Sequence, residues 1–161
     1  MVASLNYDLR GIDVAAHAFR DLAAAGKDTE PLADKIGGAM VTSVGMRFEA
    51  EQAPDGTPWK KTRRGGKILQ DQGNLSDSIT HAATKDSVAV GTNLIYAGTH
   101  QFGAVIKPKN AKMLAFKIGG GMVFAKQVTI PARPFLGVNA DDQDEMAANA
   151  AEYFQDAMGA R

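Results

Sequence analysis

Cysteine is absent from the 161-residue chain, which excludes disulfide scaffolds, cysteine-ligated zinc sites, iron–sulfur clusters and cysteine nucleophiles. No apolar run approaches the roughly 18 residues that a membrane-spanning helix needs. The N-terminal stretch is mixed and acidic, without the apolar segment of a secretory signal. The sequence therefore predicts a protein that is made and used without export and that has no membrane partner.

Large apolar residues are also scarce. Hydrophobic residues make up 45% of the chain, but 27 of them are alanine, and Leu, Ile, Val and Phe together number only 34. This content lies close to that of disordered chains, which in addition carry a high net charge. Because the formal net charge here is zero, we expect a folded single domain over residues 1–161 with a thin hydrophobic core.

The zero net charge hides a strong segregation along the chain. Residues 1–57 carry a net charge of −4, residues 58–136 carry +9, and residues 137–161 carry −5. A basic middle flanked by two acidic ends favours contact between oppositely charged surfaces, either within one chain or between chains.

No recognisable catalytic or metal-binding pattern is present. The three histidines, His17, His81 and His100, lie far apart in the chain and form no metal-ligand spacing. His100 is expected to be packed and hydrogen-bonded. The acidic run 141–145 complements a helix N-terminus better than it forms a metal site. We therefore predict no enzyme activity, no metal and no cofactor.

Three segments have the apolar period of amphipathic helices, namely 11–25, 31–51 and 140–157. Thr29 is the predicted N-cap of the second helix. This helix repeats an apolar residue every four positions, and a glycine pair within the stripe predicts close packing or a kink. The stripe consists of Leu32, Ile36, Met40, Val44 and Phe48.

The segments between the helices change to the period of strands. Residues 78–83 and 87–92 predict one hairpin, and residues 112–118 and 122–130 predict another around a triple glycine. Residues 94–102 are expected to form one or two helical turns packed by Ile95, Tyr96 and Phe102. The predicted class is α+β, with two N-terminal helices, a long basic loop, a small antiparallel sheet of about four strands and a C-terminal helix.

The predicted loop over about 54–73 is rich in turn residues and positive charge. Its cations follow the single tryptophan, Trp59, and a glycine pair makes mobility of this loop an expectation. Such cations could neutralise the phosphates of a nucleic acid beside one stacking surface. A solvated loop, or one docked on an acidic neighbour, is the alternative. The candidate contact residues are Lys60, Lys61, Arg63, Arg64 and Lys67.

Four short motifs occur in a fixed order between residues 54 and 137. They are PDGTPW at 54–59, KIL at 67–69 with GNLSDSI at 73–79, VAVG at 88–91 with YA at 96–97 and HQFG at 100–103, and IPARPFLG at 130–137. In this order they resemble the motifs of the phage virion morphogenesis family, the tail completion proteins of contractile- and long-tailed phages and of Mu-like prophages. The resemblance covers about half of the chain.

The resemblance implies a non-enzymatic structural protein of the virion, which completes the tail and helps join it to the head within an oligomeric neck ring. It implies assembly in the cytoplasm of the host bacterium. The expected partners are copies of the chain itself and other neck and tail proteins. Contact with packaged DNA, and the related roles of tail terminator or head-side adaptor, stay open as alternatives.

The residues that carry the resemblance are the candidate structural and functional residues. Two prolines restrict the backbone around Arg133, which is expected either to pair with an acid of the same or a neighbouring subunit or to be a surface cation. Trp59 is expected to anchor its loop, and Gly91 and Gly103 to hold tight backbone. The set comprises Trp59, Gly91, Tyr96, His100, Gln101, Phe102, Gly103, Pro131, Arg133, Pro134 and Phe135.

Overall fold

The structure, a computed structural model, describes residues 23–24, 26, 28–62, 65–118 and 120–159. The first predicted helix, 11–25, lies almost entirely outside these residues, as do His17, Arg63 and Arg64. Within them the fold is a mixture of helices and small antiparallel sheets, and a long helix closes the chain. None of the described helices is long and apolar enough to cross a membrane.

The second predicted helix is confirmed as α1, Glu30–Ala50. Thr29 precedes it, but the Thr29 hydroxyl donates to the backbone carbonyl of Lys85 and makes no cap within the helix. Met40, Val44 and Phe48 of the apolar stripe are buried, and the two residues before them in the stripe are half-buried. The helix ends where Glu51 adopts a left-handed conformation with φ 54°.

The predicted close packing at the glycine pair of α1 is found at one of the two positions. A Cβ added to Gly37 would lie 2.3 Å from the ring of His81, whereas Gly38 has open space around it. His81 is held there by Asp34, whose carboxylate oxygen lies 2.9 Å from the ring Nε2. Only glycine at position 37 allows the segment that carries His81 to approach α1 so closely.

Within the described residues, six short strands form three separate two-stranded antiparallel sheets, whereas the sequence predicted one sheet of about four strands. The first pair is β1, Thr80–Ala83, with β2, Val88–Gly91. The second pair is β4, Leu114–Ile118, with β5, Gly121–Ala125. Both pairs confirm the predicted hairpins.

The third sheet corrects the predicted extent of the second hairpin. The predicted strand 122–130 is interrupted at residues 126–127, and its last part forms β6, Val128–Ile130. This strand pairs with β3, Ala104–Ile106, so that Ala104 lies opposite Ile130. The pairing joins segments that are distant in sequence, and no local pattern could indicate it.

The helical turn predicted within 94–102 is confirmed as α2, Ala97–Phe102, but its predicted packing is wrong. Ile95 is 100% exposed, Phe102 is 80% exposed, and Tyr96 is also on the surface. The buried residue of this helix is Ala97. Because α2 lies close against the core, a small side chain faces inward. The large apolar side chains point outward.

Three aromatic rings lie at the centre of the core. Phe48 of α1 contacts Trp59 edge-to-face, with 5.5 Å between ring centroids, and contacts Phe135 at 5.4 Å. The tryptophan is only 5% exposed, and the side chain of Phe135 is fully buried. The remaining core is small and consists of Val44, Ala53, Ile68, Leu75, Ile79 and Ala97.

The predicted C-terminal helix is confirmed as α3, Ala140–Gly159. Asn139 and Asp142 cap its start reciprocally, since each side chain accepts a hydrogen bond from the backbone N–H of the other at 2.8 Å. Its predicted apolar face is half-buried along the helix. That face consists of Met146, Ala150, Tyr153, Phe154 and Ala157.

A buried ion pair joins α3 to α1. The carboxylate of Asp142 contacts the guanidinium of Arg47, and both side chains are less than 5% exposed. Ser43 Oγ also donates to Asp142 at 2.5 Å, and Arg47 donates to the backbone carbonyls of Phe135 and Gly137. The sequence indicated only that acids complement the start of α3, and missed this pair.

The ion pair also contributes to the pH dependence of stability. Burial alone would raise the pKa of Asp142, but hydrogen bonds from Ser43 and Asn139 and the charge of Arg47 outweigh it, so that the pKa is lowered. Because its pKa is lowered in the fold, Asp142 stabilises the protein at pH values above the pKa of an aspartate in the unfolded chain, near 3.9. This contribution is lost as the pH falls through the lower pKa of the folded state.

Replacing Asp142 by asparagine should lower the free energy of unfolding by about 3–5 kcal/mol, because Arg47 is then left as a buried charge without its partner. Glu152→Gln is the matched control, since it breaks the exposed Lys35–Glu152 pair at 2.6 Å and should cost less than about 1 kcal/mol. Urea unfolding followed by circular dichroism measures both. Equal losses in the two variants would contradict a stabilising role for the buried pair.

Candidate functional site

Three of the sequence motifs meet where the segment 130–137 leaves β6 and crosses the end of α1. Gln101 of α2 binds this segment in the manner of a neighbouring strand. Its Oε1 accepts hydrogen bonds from the backbone N–H groups of Phe135 and Leu136, each at 3.0 Å, and its Nε2 donates to the carbonyl of Leu136 at 2.8 Å. One side-chain amide therefore fixes the path of a segment that has no strand partner there.

The same segment is held on its other side by the first motif. Trp59 Nε1 donates to the backbone carbonyl of Pro134 at 2.8 Å. The tryptophan is placed by a tight turn after α1, in which its backbone N–H donates to the carbonyl of Glu51 at 2.8 Å. Trp59 thus anchors both its own loop and the proline-rich segment.

Gly103 ends α2 with a left-handed φ of 73° and lies directly against segment 130–137. An added Cβ would be 2.8 Å from the backbone nitrogen of Ala132 and 2.9 Å from the carbonyl oxygen of Ile130. Gly91 has ordinary backbone and open space around it, so the tight backbone expected there is not found. Only one of the two motif glycines is required by the fold.

Arg133 is buried beside His100, with only 5% of the arginine exposed. The backbone N–H of Arg133 donates to the carbonyl of His100 at 2.7 Å, and its side-chain Nε donates to the carbonyl of Lys60 at 2.8 Å. Burial lowers the pKa of the guanidinium, but an arginine remains charged at any physiological pH. Of the two alternatives for Arg133, the surface cation is therefore wrong.

His100 is packed, as expected, but it is not fully hydrogen-bonded. Tyr96 contacts its ring edge-to-face at 6.0 Å. The Nδ1 atom is buried, and no described residue supplies it with a hydrogen-bond partner. Burial, followed by the positive charge of Arg133, lowers the pKa of His100 below its ordinary value, so the ring is neutral near pH 7.

A cavity of about 1050 Å³ opens beside Arg133 and His100. One part of its wall carries the cations Lys60, Lys61 and Arg133 together with one acid, Asp71, so that the charge of the wall is positive overall. Another part is apolar and comes from the strands β4, β5 and β6, including Phe116 and Ile130. The cavity therefore combines cations with an apolar surface, a composition suited to an anionic group on an apolar chain.

The three predicted basic contact residues that the structure describes do not share one surface. Lys60 and Lys61 line the cavity, whereas the Lys67 ammonium pairs with Glu49 on the outer side of α1. Among the residues that the structure describes, no group of three or more His, Asp or Glu side chains is arranged to hold a metal ion. Phe102 lies on the surface, away from the contacts that Gln101 and Gly103 make.

Gly103→Ala should lower the melting temperature by several degrees, because the added methyl meets backbone atoms in a left-handed conformation that alanine disfavours. Gly91→Ala is the matched control and should leave the melting temperature within about a degree. Differential scanning calorimetry measures both variants. A Gly103→Ala protein as stable as the wild type would contradict the close approach.

Stability should decline as the pH falls below about 6.5, the ordinary pKa of histidine, because the unfolded chain then binds a proton that His100 resists in the fold. Between pH 7.5 and 5.5, the melting temperature of the His100→Gln variant should fall less than that of the wild type. His81→Gln, in β1, should leave the contribution of His100 unchanged. A His100→Gln variant with an unchanged pH profile would contradict the pKa shift.

Comparisons with known proteins give one family. The sequence profile of the phage virion morphogenesis family matches residues 12–155. The Mu-like prophage FluMu G protein 2 of Haemophilus influenzae is 36% identical over 139 residues, which cover 86% of this chain and 87% of that protein. No solved structure shows a significant match. The match extends beyond the motif-bearing half and includes α1 and most of α3.

Proposed function

Because the chain belongs to the phage virion morphogenesis family, we propose that it completes the phage tail and helps join it to the head as a subunit of a neck ring. Membership of this family indicates a structural role in building the phage particle and a protein without catalytic activity. Tail completion, the ring and its place in the neck are the parts proposed here. Other neck and tail proteins are the expected partners.

The observation that carries the proposal is the exposed apolar surface of one stretch of chain, 95–106. It lies in and beside α2 and continues into β3. A monomeric protein rarely exposes so many large apolar side chains together, because their contact with water is unfavourable. The exposed side chains are Ile95, Tyr96, Phe102, Val105 and Ile106.

The charge distribution supports the same proposal. A ring closes through two different surfaces on each subunit, and these surfaces must complement each other. The net charge of +9 over residues 58–136 and of −5 over residues 137–161 supplies surfaces of opposite sign on one chain. Apolar burial would then stabilise the contact, and charge would orient it.

Nucleic-acid contact is the second candidate function. Lys60 and Lys61 are exposed, and a neck protein would lie close to DNA that passes through the tail. The ion pair of Lys67 with Glu49 counts against a continuous basic patch, because it neutralises one of the five candidate cations. This candidate therefore ranks below assembly.

Deletion of the gene from its phage, followed by electron microscopy of the lysate, tests the proposed function. We expect separate heads and tails in the deletion strain and joined particles after complementation with the wild-type chain. Ile95→Asp with Phe102→Asp should fail to complement although the protein folds, whereas Asp86→Asn in the β1–β2 turn should complement fully. Joined, infectious particles without the gene would contradict a joining role.

A further inference from the structure

Arg133 is a buried cation that forms no ion pair with any carboxylate of the described residues, although Asp71 lines the same cavity. The only side-chain hydrogen bond of Arg133 within these residues runs from Nε to the carbonyl of Lys60 at 2.8 Å. The other buried guanidinium, that of Arg47, is paired with Asp142. Burying a charge is costly unless it is paired, so an arginine that is 5% exposed and lines a cavity is expected to have an acidic partner.

We propose that the cavity at Arg133 is a carboxylate-binding site that receives an acidic side chain from a second copy of this chain. The proposal rests on the proposed function, since it names the contact by which neighbouring subunits would associate. Arg133 would bind the carboxylate through its terminal amino groups, which are free of acceptors among the described residues. Lys60 and Lys61 add positive charge around the same cavity.

The shape and walls of the cavity favour a protein carboxylate over a DNA phosphate. Arg133 is recessed, whereas cations that contact duplex phosphates lie on surfaces that the duplex can reach. The strand side of the cavity is apolar and includes Phe116, Val123 and Ile130. Such a wall suits the apolar neighbours of an acidic side chain and has no complement on a sugar–phosphate backbone.

The same chain carries suitable acids at the start of α3. Asp141, Asp144 and Glu145 are exposed, and no ion pair to any of them is found within the described residues. Two other exposed acids are engaged, since Glu49 binds Lys67 and Glu152 binds Lys35. An exposed acidic surface and a cavity of net positive charge on one chain are complementary in a head-to-tail arrangement.

Charge-reversed variants and their mixture test the proposal by analytical ultracentrifugation at low ionic strength. Lys60→Glu with Lys61→Glu reverses the cavity, and Asp144→Lys with Glu145→Lys reverses the acidic surface. Each double variant alone should associate at least tenfold more weakly than the wild type. An equimolar mixture should associate again, because both contacts between unlike variants bring opposite charges together.

Arg133→Gln tests the buried cation itself, and a thermal melt establishes whether this variant folds. The variants of the exposed lysines test the site independently of that result. Lys85→Glu with Lys112→Glu is the matched control, since both lysines are exposed outside the cavity. It should associate like the wild type. Weaker association of folded Arg133→Gln would support the site.

Three results would overturn the proposal. They are a wild-type chain that stays monomeric at low salt, cavity variants that associate like the wild type, and a mixture that does not associate. If Arg133→Gln instead lost duplex DNA binding while its self-association was unchanged, the cavity would be a phosphate-binding site. That result would also overturn the proposal. Joining of heads to tails in the deletion experiment is scored separately, so the proposed function can stand if this site fails.

Discussion

The path of segment 130–137 across the end of α1 is the constraint on which the rest of the structure depends. Its aromatic residue, Phe135, completes the ring cluster with Phe48 and Trp59. Prolines at two positions of the segment supply no N–H for strand pairing, so other groups must hold it. The side-chain amide of Gln101 and the indole of Trp59 do so through hydrogen bonds to its backbone.

Polar contacts supplement the small hydrophobic core that the described residues form. Arg47 joins two backbone carbonyls of the crossing segment to Asp142 at the start of α3. The α1 helix, the crossing segment and α3 are thereby connected around one guanidinium. Because a buried charge tolerates few alternative arrangements, this network favours a single relative placement of the three elements.

The surface of the protein complements its thin core. Large apolar side chains are exposed in and around α2, and a second buried guanidinium, Arg133, lines a cavity and forms no ion pair with the described residues. Both features are unfavourable in an isolated subunit, since apolar area stays in water and a desolvated charge lacks a counterion. Both become favourable when a neighbouring molecule covers them, which fits a protein of a family that builds phage particles.

The sequence by itself determined the local elements and the family. Amphipathic periodicity placed α1 and α3, strand periodicity placed the β1–β2 and β4–β5 hairpins, and ordered motifs indicated the family that the comparisons established. Only the tertiary structure decided the β3–β6 pairing, the Arg47–Asp142 pair, the clamp by Gln101 and the outward orientation of Ile95. Periodicity reports which residues share a face of one element, whereas these contacts depend on how distant segments meet.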